Sequence, residues 1–438
     1  MVHVKSEKKK IFIIVKNRLF FNWKINIFKK GGDEMKNKVS NYSRRNFLAG
    51  SATIAGLAAA SAVLPTSIAH ANHDIDKPTD LPDFAKWKKR SAVIVHSKSG
   101  IETHREDIGS SVITPIRHIY VRNNLPTMTD EQIGNKDNWT INIEGVKNPR
   151  AFTVKQLKSL GFTTVATVLQ CSGNGRGFFK HGPSGSQWKT GAAACVVWTG
   201  IPVSDLVNQC GGLASGVKFL TGTGGDLPKG QDPKRALVER SVPLAAYKDA
   251  ILAWEMNGVD LPNVHGAPLR LVTPGYFGIN NVKHLNKLAF TKAESGVRFM
   301  KSSYRVYPIG KKGSPEYASC WEMPVKSWIT KPNDDSGKVA SGNVVVTGVA
   351  MGGMDSVSKV EISTDFGKTW KKANLVGPDL GKFAWRQFAI ELNLKPGTYN
   401  VASRATAGSK TQPELRMENH RGYLHNGWKD HSVTIDVA

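Results

Sequence analysis

Cys171 is the residue around which chemistry can be built. The apolar, β-branched run Thr163 to Leu169 predicts a buried strand that delivers this thiol into the turn Ser172-Gly173-Asn174-Gly175, with Arg176 five positions on. A buried cysteine is often no more than a small hydrophobe. Here the glycines let a ligand approach the backbone, and a nearby guanidinium stabilises a thiolate and recruits anions. Other polar stretches accompany it. Arg122-Asn123-Asn124 closes an apolar strand, and His265-Gly266-Ala267-Pro268-Leu269-Arg270 sets an imidazole and a guanidinium five apart across a bend. Asn280 to His284 follows the Gly275-Tyr276-Phe277-Gly278 turn, Tyr304-Arg305 pairs a phenol with a cation, and His420 to Trp428 is rich in donors. Each has an ordinary reading as a strand end, a loop or a packing residue. Together, one thiol, several arginines and a phenol suit a soft metal held by sulfur and facing a small oxyanion.

The elements that must position these groups fall into three segments. Residues 1–71 read as a leader. Met35 is a plausible true start, Ser43-Arg44-Arg45-Asn46-Phe47-Leu48 carries a twin arginine, a small-residue apolar run extends to Leu64, and Ala69-His70-Ala71 resembles a cleavage site. A membrane anchor is the alternative, but Pro65 ends the run too early for a bilayer span. This pattern predicts export of an already folded protein to the periplasm, a route suited to a cofactor inserted beforehand. The net charge is +25 and stays basic without the leader. No Arg-rich recognition helix accompanies it, so the charge points to anionic substrates or an acidic protein partner rather than nucleic acid. There is no Walker A, no G-x-G-x-x-G between strand and helix, no C-x-x-C-H and no zinc-site histidine spacing. Gly222-Thr223-Gly224-Gly225-Asp226 reads as a turn or a loop that approaches a cofactor.

Residues 72–323 form the first expected domain. Asn72 to Gly100 reads as an extended polar arm, Ile119 to Asn124 and Trp139 to Gly145 as strands, Thr153 to Leu160 and Val203 to Cys210 as short helices. Strands follow at Val217 to Thr221, Ala250 to Met256, Leu269 to Val272 and Val282 to Phe290. This order is α+β rather than regular βαβ alternation. Beyond a boundary near Pro324, seven short runs between Lys326 and Val437 predict, over 324–438, an immunoglobulin-like β-sandwich.

Leu169-Gln170-Cys171-Ser172-Gly173-Asn174-Gly175-Arg176 resembles the LQCAGNRR signature of the sulfite oxidase family of molybdenum enzymes. Val121-Arg122-Asn123-Asn124-Leu125-Pro126 is similar to that family's VRNHLP, and Trp254 to Gly258, His265 to Arg270 and Val282-Lys283 agree in the same order, so the resemblance runs from about Arg117 to the C-terminus. It implies an α+β molybdopterin domain, a C-terminal dimerisation domain that makes a homodimer possible, and a molybdenum-molybdopterin cofactor without haem or flavin in this chain. Cys171 would be the metal ligand. Arg122, Arg176, Tyr304 and Arg421 would line an oxyanion pocket with Trp188 as its wall. Tyr120, Val121, Arg122, Asn123, Asn124, Asp226, His265, Arg270, Asn281, Val282 and Lys283 would hold the pterin and its phosphate. The layout is similar to bacterial periplasmic sulfite dehydrogenases, which implies oxidation of sulfite to sulfate with an external c-type cytochrome as electron acceptor. The same core also serves sulfane dehydrogenases of thiosulfate oxidation and methionine sulfoxide reductases, and an exported binding module is the reading from a different class. Departures from the animal pattern are Asn124 for His, Gly175 for the first Arg of NRR, and Gly182-Pro183-Ser184-Gly185 in place of a Lys-containing stretch. With Cys171 on a metal, at most one disulfide could form among Cys195, Cys210 and Cys320.

Overall fold

The computed structural model describes residues 80–438, so the expected leader over 1–71 lies outside the described residues. No helix among the described residues is long and apolar enough to cross a membrane. A three-stranded sheet comes first in sequence: β1 (Val93–Ser97), β2 (Gly100–Thr103) and β3 (Val121–Arg122), in that spatial order. Asn72 to Gly100, read as an extended arm, therefore corrects to an arm that enters this sheet: its last residues pair in a tight hairpin and bury Val93 and Ile101 against Val121.

Two five-stranded sheets carry the rest of the first domain. The strands in chain order are β4 (Thr140–Glu144), β5 (Arg150–Thr153), β6 (Thr163–Gln170), β7 (Ala193–Pro202), β8 (Phe219–Gly224), β9 (Glu239–Pro243), β10 (Ile251–Met256), β11 (Val259–Asp260), β12 (Arg270–Val272) and β13 (Leu285–Thr291). One sheet runs β11-β10-β7-β6 with β12 paired to β10; the other runs β5-β4-β13-β8-β9. All these pairs are antiparallel except β13 with β4, which fits α+β rather than βαβ winding. β4 alternates exposed and buried residues, as its period of two requires. The helix Val154–Ser159 opens with a capping box between Thr153 and Gln156. Gly222 to Gly224, expected as a turn, belong instead to strand β8. A Cβ on Gly222 would approach Leu271 Cδ2 to 2.8 Å, so only a glycine lets β8 lie this close to its neighbour. The expected strand Ile119 to Asn124 shrinks to β3, because Asn123 Nδ2 turns the chain by donating to Thr127 Oγ1.

The C-terminal domain contains β14 (Lys326–Lys331), β15 (Gly342–Met351), β16 (Val357–Ser363), β17 (Lys371–Lys372), β18 (Asn374–Val376), β19 (Arg386–Leu394), β20 (Gly397–Ala407), β21 (Lys410–Thr411) and β22 (Val433–Val437). They form antiparallel sheets ordered β14-β15-β19-β18 and β17-β16-β20-β21, with β22 on β20. Val346 and Leu392 of the first meet Ile362, Val401 and Ile435 of the second in one apolar core. The expected run Trp370 to Leu375 divides between the two sheets, as β17 and β18. The first domain is tied to this one: Arg105 Nε donates to Ile329 O at 2.7 Å and Trp385 Nε1 to Val112 O at 2.7 Å. All four cysteines are free.

Where the two domains meet, His425 and His431 are buried with ring centroids 4.6 Å apart. Burial pushes His425 down to about 4 and His431 well below the usual histidine range. An unfolded imidazole takes its proton near pH 6.5. Between pH 6.5 and about 4 the unfolded chain therefore binds more protons than the folded one, and stability falls with pH by about 1.4 kcal/mol per unit for each such histidine. Urea unfolding at pH 7 and pH 5 is expected to show a lower midpoint at pH 5. Equal midpoints would mean that the imidazoles charge in place without penalty.

Candidate active site

Strand β6 ends at Gln170 and hands Cys171 to a turn that is held on every side. The Cys171 amide donates to Ala192 O at 2.9 Å, and its carbonyl accepts from the Asn174 amide at 3.0 Å. Asn174 locks the turn with its side chain, donating to Gln170 Oε1 at 3.0 Å and accepting from the Ala192 amide at 3.1 Å. Cys171 is 9% exposed and opens on a cleft. Tyr120, Arg122, Asn123, Asn124, Asp226, His265, Arg270, Asn281, Val282, Lys283 and Tyr304 line the same cleft. Six separate stretches of sequence thus converge on one cleft.

The charge balance of this cleft is one-sided. Arg122, Arg270 and Lys283 line it, Lys88 stands behind His265, and no carboxylate forms an ion pair with any of them among the described residues. Lys283 Nζ spends its donors on Asn123 Oδ1 and Val264 O, both at 2.6 Å. Burial, reinforced by Arg270, pushes its pKa well below the usual lysine range. Arg270 donates to His265 O at 2.8 Å and is lowered by burial to about 10. Burial, with Lys88 next in effect, holds His265 well below its ordinary pKa, so its ring stays neutral. Burial also raises Tyr120 well above 10 and lifts Asp226 above the usual carboxylate range. Asp226 Oδ1 and Ser172 Oγ are buried without a hydrogen-bond partner. Uncompensated buried cations and orphaned polar atoms in one cleft describe the seat of a polyanionic ligand.

Tyr304 joins the cleft to a second cluster. Its hydroxyl donates to Asn124 Oδ1 at 3.0 Å, and its backbone holds a φ of 56°, unusual for a bulky residue. Its ring stacks on Tyr423 at 5.5 Å, and the Arg176 guanidinium lies 5.3 Å from that second ring. Arg176 is 5% exposed; its Nε donates to Arg421 O at 2.9 Å and its Nη1 to Ser186 O at 3.1 Å. Gly173 and Gly185 leave room for it, since a Cβ on either would come within 2.9 Å of the guanidinium. Arg421 Nη1 donates to Ser184 Oγ at 2.7 Å and lines a separate surface cleft with Arg298, Lys311, Lys312 and His420.

Four expected site residues do not line the Cys171 cleft: Arg421 lines the separate surface cleft, Arg176 is buried beside Tyr423 and lines neither, and Trp188 and Val121 are placed elsewhere. Trp188 is fully buried and lines neither cleft; its ring packs edge-on against His96 at 5.0 Å. The physical reason is Glu102, whose Oε1 accepts the Lys189 and Gly191 amides and draws this segment behind the cleft. Val121 alternates away from its neighbours Tyr120 and Arg122 into the small core of the three-stranded sheet. Sequence reasoning quoted Ser172 and His284 within their stretches but gave them no site role, though both line the cleft, and it overlooked Lys88, which lies in the stretch read as an arm. Lys88 Nζ donates to Ile119 O at 2.6 Å, and burial lowers it to about 7.

Comparison with known proteins agrees with this geometry. Residues 127–299 match the oxidoreductase molybdopterin binding domain, and residues 317–437 match the Mo-co oxidoreductase dimerisation domain. The chain belongs to the sulfite oxidase family. Mitochondrial sulfite oxidase of Rattus norvegicus is 30% identical over 355 residues, which cover 76% of this chain and 63% of that protein. Sulfite oxidase of Arabidopsis thaliana is 28% identical, covering 77% and 91%, and nitrate reductase [NAD(P)H] of Hordeum vulgare is 30% identical, covering 81% and 43%. The chain thus spans 63% of the length of the rat relative. The crystal structure of the sulfane dehydrogenase SoxCD from Paracoccus pantotrophus superposes with a TM-score of 0.65 at 24% identity, covering 86% of this chain and 98% of that one.

The family's molybdenum-molybdopterin cofactor fits what the cleft offers. Its phosphate would find the cations, its pterin N–H groups the orphaned Asp226 acceptor, and its metal the Cys171 thiol. The local structure also explains one departure from the family motif. Gly175 has a φ of 102°, and a Cβ there would fall 2.5 Å from His425 Cγ. Restoring arginine, as Gly175→Arg, is expected to destabilise the fold by roughly 2–5 kcal/mol, combining a left-handed backbone with overpacking. Chemical denaturation checks this; an unchanged midpoint would mean that His425 moves freely aside.

Proposed function

We propose that the protein is an exported molybdenum enzyme that oxidises sulfite to sulfate and passes two electrons, one at a time, to an external c-type cytochrome. Supporting this reading above all is the cleft itself, where a thiol and a set of unpaired buried cations face one another. When bound, the cofactor supplies oxygen-atom transfer, with water as the source of the added oxygen and two protons released. The chain's own residues do the rest. Cys171, as thiolate, is the protein's ligand to the metal, and its rigid turn fixes the direction of the sulfur. Arg122, Arg270, Lys283 and the neutral His265 hold the phosphate and pterin edge, with Asn281 setting the loop by accepting the Thr273 amide at 2.8 Å. Arg122, Arg176 and Arg421 attract and orient the sulfite dianion, and Tyr304 directs its hydroxyl toward the reacting centre. Trp188 acts from the core, as support for the segment that carries Ser186.

The twin arginine at Arg44-Arg45 supports a periplasmic location, and the basic balance supports an acidic redox partner. We assign residues 72–323 to the catalytic domain and 324–438 to an immunoglobulin-like domain that mediates a homodimer; its two antiparallel sheets over one core suit that class. Purified protein is expected to contain about one molybdenum per chain and to oxidise sulfite in preference to thiosulfate-derived sulfane sulfur, without reducing methionine sulfoxide. Preference for sulfane sulfur would move it to the sulfane dehydrogenases. Absence of both molybdenum and pterin would leave an exported binding module.

A further inference from the structure

Lys326 opens β14, the first strand of the C-terminal domain, and is fully buried. Its ammonium reaches across to the cysteine turn, where Nζ donates to Asn174 O at 3.2 Å. Among the described residues that is the one hydrogen bond its three donors make, and no carboxylate pairs with it. Around it stand the Trp328 ring, 5.5 Å from Nζ, and the two neutral imidazoles His425 and His431, whose protonation it opposes. Burial lowers Lys326 to about 7, and the nearby Cys171 sulfur is the group that counters this.

A buried ammonium with one weak partner is expensive to fold around. Replacing such a charge with an apolar side chain of similar volume is often neutral or stabilising. Packing therefore gives no reason for a lysine here, and what the position lacks is a negative charge. The proposed metal site would supply one through Cys171, three residues from the carbonyl that Lys326 grips. That carbonyl is held in place, because Asn174 is bonded at its amide, its side-chain nitrogen and its side-chain oxygen.

We infer that Lys326 is a positioning residue of the metal site: a cation carried by the C-terminal domain to the back of the Cys171 turn, where it favours the reduced, more negative state of the bound metal. This rests on the proposed molybdenum ligation by Cys171. A fixed positive charge in a dry interior stabilises added electrons far more than the same charge in water, so its removal shifts the couple to more negative potential.

The test uses Lys326→Met and Lys326→Gln in the full chain loaded with cofactor, measuring molybdenum content, thermal midpoint and the midpoint potential by spectroscopic redox titration. Both variants are expected to fold and to hold molybdenum at the wild-type level, Lys326→Met with a thermal midpoint at or above wild type, and both with the potential shifted negative. A purely structural lysine would lower the thermal midpoint and leave the potential unmoved. An unchanged potential in either loaded variant overturns the inference. So does failure of both variants to fold, because the charge is assigned no share of stability, and so does failure of both to load metal, because ligation is assigned to Cys171. Wild-type protein without molybdenum would overturn the proposed function and this inference with it.

Discussion

Serine at position 171 is expected to leave a folded protein whose turnover has fallen by at least about 10³-fold. Loss of an outer partner of a metal ligand already costs roughly 10- to 100-fold, and a direct ligand should exceed that. Oxygen in place of sulfur changes one atom. The backbone bonds that define the turn, from the Cys171 amide to Ala192 and from the Asn174 amide to the Cys171 carbonyl, do not involve the side chain. A serine hydroxyl does not ionise at neutral pH, however, and it is a hard donor where a soft metal prefers sulfur. Thermal unfolding should change little, and turnover of sulfite should be lost. Full activity in a variant with normal molybdenum content would remove Cys171 from the metal.

The cleft was legible in the sequence to the extent that each of its parts is local. Cys171, Arg122, His265, Arg270 and Lys283 each sit just beyond or beside a short apolar run, where polar residues serve a core poorly, and the four stretches that hold them meet in one cleft. What escaped was set by distant neighbours. Gly222 and Gly224 have turn propensity, yet pairing with β13 and β9 takes them into a sheet, and a Cβ on Gly222 would press on Leu271 of the other sheet. Lys88 and Lys326 carry no local signal of burial, since one follows a tryptophan in a polar stretch and the other begins a strand where alternation leaves either face open. Burial at those two positions depends on contacts 31 and 152 residues away, to Ile119 and Asn174, and no local pattern encodes them. Trp188 misled for the opposite reason. The resemblance implied a pocket wall there, while the two backbone amides that Glu102 accepts and that turn the segment inward pair it with a residue nearly ninety positions away.

Arg176→Gln is expected to raise the Michaelis constant for sulfite and to lower kcat/KM by about 10- to 150-fold, the equivalent of one charge-assisted hydrogen bond of roughly 1.5–3 kcal/mol. The fold should tolerate the change. Glutamine keeps a donor that can reach one of the two carbonyls now bonded by Arg176, and Gly173 and Gly185 leave space rather than demand filling. What disappears is a positive charge that is 5% exposed beside Tyr423 and donates to the Arg421 carbonyl. A bound dianion would pair with that charge directly. Substrate affinity should therefore weaken more than the rate of the bound complex, and it should lose part of its dependence on ionic strength. Steady-state kinetics at two salt concentrations separates the cases. A Michaelis constant that does not move would take Arg176 out of the anion pocket while leaving Cys171 on the metal, because the two residues act on different atoms of the same reaction.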